Sequence, residues 1–210
     1  MRREERLAAR RQELLGREQE LWNSGVRFVA GLDEAGRGPL AGPVVAACVI
    51  MTPENLPLGV DDSKRLSEKR REETAARIRE AALDISVGIV DVETIEKINI
   101  LESARQAFQI CLDKLTLRPQ YVFTDAMNIE CDCPHEAIVR ADTLVYSVAA
   151  ASIIAKTTRD SIMRELDAAY PQYGFARHKG YGTEAHRQAI QRLGPCPAHR
   201  KSFLRKILAE

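Results

Sequence analysis

Two apolar, β-rich runs, Phe28 to Leu32 and Val44 to Ile50, flank the polar turn Asp33-Glu34-Ala35-Gly36-Arg37-Gly38-Pro39. That arrangement predicts two adjacent strands and constrains the fold more than any other stretch. The longest nearly apolar run, Ala41 to Met51, is too short to span a bilayer, so no transmembrane helix is expected.

Further along, Ser67 is a suitable N-cap for a helix running to about Leu83, followed by a strand over 85–90 and a helix from Asp91 to about Leu117. Tyr121 to Asp125 reads as a short strand ending in a carboxylate, and Ala137 to Arg140 as another leading to Asp142. A long helix from about Val145 to Tyr170 is stopped by Pro171, and its Ala149-Ala150-Ala151-Ser152 patch is small enough to approach a sheet closely. Helices over about 183–193 and 201–208 complete an α/β unit with a helical C-terminal third.

Residues 1–23 carry Leu7, Leu14, Leu15 and Leu21 among charges, which predicts an amphipathic helix docked on its leucine face. The expected organisation is therefore a helical extension, 1–24, and one domain, 25–210, whose helical region begins near 171. With 45% hydrophobic and 29% charged residues, the 210-residue chain has the composition of an ordinary soluble globular protein. No signal-peptide core precedes the first strand, five Glu in the first twenty residues argue against a transit peptide, and the cytoplasm is the expected location. Five irregularly spaced cysteines read as reduced thiols.

A formal net charge of +1 conceals an uneven distribution. From Arg177 to Lys206 eight Lys/Arg face one acid, a balance of +7, which leaves −6 for the rest of the chain. A carboxylate centre could thus meet a polyanion on one molecule, although a solvated helix face would give the same composition.

Adjacent Asp33 and Glu34 at a strand end cannot serve one site if the strand continues regularly, since successive side chains point to opposite faces. Gly36 and Gly38 give the backbone freedom to leave the strand there; a plain acidic turn is the competing reading. Asp125 and Asp142 also follow apolar segments, where ligands gather in α/β sheets, and each alone could be a turn or N-cap residue. Together the four form a hard-oxygen set suited to Mg²⁺ or Mn²⁺. Asp160 falls roughly 27 Å from Asp142 if the intervening helix is continuous, so it is assigned with Arg159 to structural ion pairing.

The segments GLDEAGRGPLAGPVVAA (31–47), DDSKRLSEKRRE, INILESA, AAASIIAKTTRD, YPQYGFARHKGYGT and HRKSF, in that order, resemble ribonuclease HII over roughly Val29 to Phe203. The resemblance implies a ribonuclease H-like fold, a central mixed β-sheet flanked by helices with a helical C-terminal region. It implies an endonuclease acting on RNA–DNA hybrids and on the 5′ side of ribonucleotides embedded in duplex DNA, leaving 3′-hydroxyl and 5′-phosphate ends. Roles in ribonucleotide and RNA primer removal follow, with a monomer and no membrane partner expected. The family's metal-binding carboxylates fall on Asp33, Glu34, Asp125 and Asp142, and two-metal hydrolysis with Mn²⁺ or Mg²⁺ is implied. By the same match Gly36, Arg37 and Gly38 form the 2′-hydroxyl-sensing loop, Tyr181 stacks on a sugar, and Lys64 lies near the substrate phosphate. The basic stretch 177–206 would hold the DNA backbone.

Where the family usually has Gly after the third carboxylate and before the fourth, this chain has Ala126 and Ala141; Leu144 replaces a frequent basic residue. Cys131, Cys133 and His135 with Cys196 and His199 suggest zinc, but the spacing is not a standard paired pattern. Two other readings compete: a nucleic-acid binder that has lost catalysis, which the four intact acids disfavour, and a related enzyme such as ribonuclease HIII or a general Mg²⁺ nuclease.

Overall fold

In a computed structural model, which describes residues 3–208, helices α1 (Arg3–Leu14) and α2 (Gly16–Asn23) precede strands β1 (Val29–Ala35) and β2 (Val44–Met51). Then follow α3 (Glu68–Ala81), β3 (Asp84–Val90), α4 (Val92–Lys114), β4 (Tyr121–Asp125), β5 (His135–Ile138) and α5 (Tyr146–Ala169). A single turn, α6 (Phe175–His178), and α7 (Glu184–Leu193) complete the helical region. The five strands form one mixed sheet in the order β3-β2-β1-β4-β5. β2 runs antiparallel to both neighbours, whereas β1, β4 and β5 are parallel to one another.

Every residue of β2 is buried, and its period-2 alternation feeds two cores. Ala47, Val49 and Met51 face Ala149, Ala150 and Ile153 of α5, together with Leu14, Leu15 and Ile78. Val44, Ala46, Cys48 and Ile50 face Ala104, Ala107 and Phe108 of α4. Each fully buried Val, Ile, Leu or Phe stabilises this sandwich by roughly 1.5–3 kcal/mol relative to an exposed one. The small-residue patch of α5 acts as its composition predicts. The helix lies so close to β1 that a Cβ on Gly31 would collide with the backbone of Ser147 and Val148.

Ser67 caps α3 as expected, through a hydrogen bond from the Arg70 amide, and Thr183 caps α7 through one from the His186 amide. Four boundaries differ from expectation. Within the described residues, the N-terminal helix is two helices meeting at Leu15, and Leu14 and Leu15 are its buried leucines. α4 is interrupted at Asn99, whose positive φ of 70° breaks the helix while its Oδ1 accepts from the Leu101 and Glu102 amides, capping the second segment. The strand before Asp142 is His135–Ile138, because Arg140 adopts a left-handed φ of 61°. The last helix is reduced to a 3₁₀ turn, Lys201–Phe203, followed by turns that bury Leu204 and Ile207 against Ile190 and Leu40. Among the described residues no helix is long and apolar enough to cross a membrane.

Candidate active site

Asp33 and Glu34 both belong to β1, whose pairing with β2 continues through Ala35 opposite Val45. The strand therefore does not end at the acids, contrary to the expectation from Gly36 and Gly38. What ends is the pairing with β4, last seen between Leu32 and Thr124, which opens the sheet where Asp33, Glu34 and Asp125 emerge. Asp33 lies on the same face as Gly31, the α5 side, where the Ser152 hydroxyl opposes in part the effect of burial on its carboxyl, and its Oδ1 accepts from the Glu34 amide at 2.7 Å. Ser152 in turn lies 2.8 Å from the Ser63 hydroxyl. Glu34 lies on the other face, its Oε1 3.3 Å from Arg37 Nη1 and its Oε2 buried without a hydrogen-bond partner.

Asp125 accepts from the Ala141 amide at 2.9 Å, which ties the end of β4 to the turn carrying Asp142. Asp142 is buried, and its Oδ2 lies 3.3 Å from Lys64 Nζ. Burial raises the carboxyl pKa of Asp33, Glu34 and Asp125; the charges of Glu34 and Asp125 add to the rise at Asp33, and that of Asp142 adds to it at Asp125. Lys64 is shifted upward, Asp142, Asp62 and Asp33 outweighing the opposing effect of partial burial. All four predicted carboxylates thus interact electrostatically with at least one other.

The loop Gly36-Arg37-Gly38 adjoins this centre, and a Cβ on Gly38 would stand 4.0 Å from Tyr181 Cε1. Tyr181 is 46% exposed. Arg200, counted in the basic stretch, has no solvent exposure and faces no polyanion. Its guanidinium donates to the carbonyls of Gly36 (2.6 Å), Arg37 (3.1 Å), Pro39 (2.9 Å) and Gly42 (2.7 Å). Among the described residues the amides of Arg37 and Gly38 find no backbone acceptor.

Arg159 is not in the ion pair assigned to it. It donates to the carbonyls of Pro43 (3.0 Å), Ala41 (2.9 Å) and Lys179 (2.9 Å), joining the glycine loop to the segment before Tyr181. Asp160 pairs instead with Lys156 and Arg71. The exposed cations of the basic stretch are Arg177, Arg187, Arg192, Lys201, Arg205 and Lys206.

Two histidines also support Tyr181. The Cys196 amide donates to His199 Nδ1 at 3.0 Å, so the hydrogen of His199 sits on Nε2 and is directed at His186 Nε2, 3.0 Å away. His186 Nδ1 is then left to donate to the Tyr181 carbonyl at 2.9 Å. Burial lowers both imidazole pKa values, that of His186 to about 4, which keeps the pair neutral near pH 7. Ser152, Arg159, Arg200, His186 and His199 escape a reading of the sequence, because each acts through a partner at least 13 residues away.

The zinc pattern does not assemble: Cys131 contacts Cys133 and His135 in the β4–β5 loop, while Cys196 and His199 pack together in the C-terminal region. Among the described residues no three His, Cys, Asp or Glu side chains are gathered closely enough to hold one ion, the four carboxylates included. Their chemistry nevertheless fits hard divalent cations. The candidate ligand atoms are all oxygen, Glu34 Oε2 is an orphaned acceptor, and burial, with a smaller share from mutual repulsion, raises three of the carboxyl pKa values, a cost that a cation would relieve.

The family model for ribonuclease HII matches residues 30–206. The chain belongs to the ribonuclease HII family. Ribonuclease HII of Geobacillus kaustophilus is 49% identical over 199 residues, 94% of this chain and 76% of its own length. That of Acholeplasma laidlawii is 50% identical over 186 residues, 89% of this chain and 92% of its own. The crystal structure of ribonuclease H2 from Pyrococcus horikoshii superposes with a TM-score of 0.73 at 28% identity, covering 86% of this chain and 96% of that one. The fold is thus ribonuclease H-like, and ribonuclease HII membership makes the chain an endoribonuclease H, a hydrolase acting on RNA–DNA hybrids.

Proposed function

We propose that this ribonuclease HII incises on the 5′ side of single ribonucleotides embedded in duplex DNA, as well as cutting the RNA strand of hybrids, leaving 3′-hydroxyl and 5′-phosphate ends. Its work is ribonucleotide removal from DNA and RNA primer removal, in the cytoplasm, where five free thiols are stable. The observation that carries this reading is the juxtaposition, at one end of the sheet, of the acid cluster with the glycine loop and Tyr181.

Asp33, Glu34, Asp125 and Asp142 would hold Mn²⁺ or Mg²⁺. Bound there, divalent cations supply an activated water and stabilise the leaving oxygen. Asp33 and Asp125 stand one residue past the last β1–β4 pair, on backbone still held in the sheet by β2 and β5, so the sheet and not a loop positions them. Lys64 holds Asp142 and offers a cation to a nearby phosphate. With its carbonyls taken up by Arg200, the glycine loop has the Arg37 and Gly38 amides available for a 2′-hydroxyl, which can accept as well as donate. The half-exposed Tyr181 ring would pack on the neighbouring sugar. The six exposed cations between 177 and 206 would grip phosphates without reading sequence.

The decisive experiment is incubation with a duplex containing one ribonucleotide, beside an all-DNA duplex, with Mn²⁺, Mg²⁺ or chelator. Incision 5′ of the ribonucleotide, abolished by chelator and absent from the control, is the expected result. Failure with both metals refutes the catalytic assignment, and equal cutting of the control refutes the 2′-hydroxyl assignment.

A further inference from the structure

The acid cluster leaves the N-terminal helices without a part in the chemistry, yet one guanidinium of α1 touches both loops that meet at Asp142. Arg10 Nε donates to Asp61 Oδ1 at 3.0 Å and Arg10 Nη2 donates to the Thr143 carbonyl at 2.9 Å. Asp61 opens a turn that leads directly to Lys64, with the Asp62 amide donating to Asp61 Oδ1 at 3.0 Å and the Lys64 amide to Asp62 Oδ1 at 2.9 Å. Lys64 Nζ reaches Asp142, and Thr143 is its next residue. The contacts close a ring through Arg10, Asp61, Asp62, Lys64, Asp142 and Thr143.

A second anchor lies one turn further on. α5 begins after Val145, which offers no side-chain cap, and Glu18 from α2 fills that place by accepting from the Ser147 amide at 2.7 Å and its hydroxyl at 3.0 Å. Leu14 and Leu15, buried between Arg10 and Glu18, fix the two helices to the α5 face. Both ends of the segment from Asp142 to Ser147 are therefore held by the N-terminal helices.

We infer that Arg10 is a positioning residue that sets Asp142 and Lys64 relative to the other three carboxylates. This rests on the assignment of Asp142 to the metal-binding set. Arg10 keeps 23% of its side chain exposed, and its polar contacts reach the two loops and not the strands, so it orders those loops without being a main support of the sheet.

The test uses the full chain with Arg10→Ala and Arg10→Lys. Amide hydrogen exchange of the metal-free protein is followed over 61–64 and 140–147, and kcat and KM are measured with Mn²⁺ on the single-ribonucleotide duplex. For Arg10→Ala, exchange in those two segments should rise about tenfold, the loss expected when a charge-assisted hydrogen bond is removed. Exchange in β1 and β2 should stay unchanged, and kcat should fall about tenfold with KM within about twofold, because a misplaced ligand costs rate and not duplex binding. Arg10→Lys should lie between, since one ammonium cannot span both acceptors with the same fork. Unchanged exchange in 140–147, an even rise across the sheet, or unaltered kcat would each overturn the inference. Failure of the unaltered chain to cut would refute the assignment of Asp142, and the exchange measurement would still decide whether Arg10 orders the two loops.

Discussion

Glu18 on α2 accepts from the Ser147 amide, 129 residues away, at 2.7 Å, from a site almost closed to water. Burial pushes its carboxyl pKa up to about 7 from an ordinary 4.5, against the lowering effect of the Ser147 hydrogen bonds. A folded pKa above the unfolded value means that the folded state binds the extra proton. Stability from this group is thus present below about pH 4.5 and lost as pH rises to about 7. The full loss is about 3 kcal/mol by linkage. Glu18→Gln keeps an acceptor without the charge, so it should match the parent near pH 4 and exceed it at pH 8. Urea denaturation of both proteins at the two pH values checks this; parallel pH profiles would refute it.

Asp33→Asn should remove a proposed metal ligand and, at the same time, a carboxylate that burial and neighbouring charges disfavour. Turnover should fall by about 10³-fold or more, since metal binding contributes several kcal/mol to the barrier. The metal-free variant should melt higher than the parent at pH 8, because burial and the charges of Glu34 and Asp125 disfavour the Asp33 carboxylate. Calorimetry with chelator present measures the second effect, and a lower melting temperature would contradict it.

Ala126 holds a φ of 52°, which places a Cβ where the left-handed region disfavours one. Ala126→Gly should therefore stabilise the chain by up to about 1 kcal/mol, the relief of the left-handed penalty less the added freedom of the unfolded chain. Denaturant midpoints report it, with incision rates expected to be unchanged.

Tyr181→Phe should retain most activity, whereas Tyr181→Ala should raise KM for the single-ribonucleotide duplex about tenfold by loss of ring packing on the sugar. The side chain is 46% exposed, so thermal stability should hardly change in either variant. Equal KM for the parent and Tyr181→Ala would exclude the ring from substrate binding.

Arg200→Lys keeps the charge but loses the fork that serves four carbonyls of the loop from Gly36 to Gly42. Buried carbonyls left without donors cost about 1–3 kcal/mol each. The variant should be less stable and should discriminate less well between ribonucleotide-containing and all-DNA duplexes. The ratio of incision rates on the two substrates separates this from a simple fall in the folded fraction, which would leave the ratio unchanged.

The strand pair around Asp33, the adjoining order of elements and the closeness of α5 to the sheet were legible because they depend on local alternation and side-chain size. Asp125 was legible as a strand-end carboxylate, whereas Asp33 and Glu34 lie inside β1 and Asp142 lies in a 3₁₀ turn beyond β5. Arg159 and Arg200 were misread because a cation beside acids or within a basic run gives no sign that it will be buried under carbonyls 116 to 164 residues away. The break at Asn99 was hidden because helical residues continue on both sides of it, and the left-handed φ of one Asn leaves no mark in the sequence. The backbone course at Asp33 and Glu34 was misjudged because what changes there is the parting of β1 from β4, and not the end of β1, and no local signal encodes it.

The sequence separation of 164 between Gly36 and Arg200 also orders events during synthesis. The acidic strand ends can pair once β4 and the turn at Asp142 have emerged, but the glycine loop lacks its central donor until residue 200 has left the ribosome. A nascent chain halted before that point would carry the proposed metal ligands without the donor that holds the glycine loop. The loop proposed to sense the 2′-hydroxyl is thus among the last parts of the chain to be set in place.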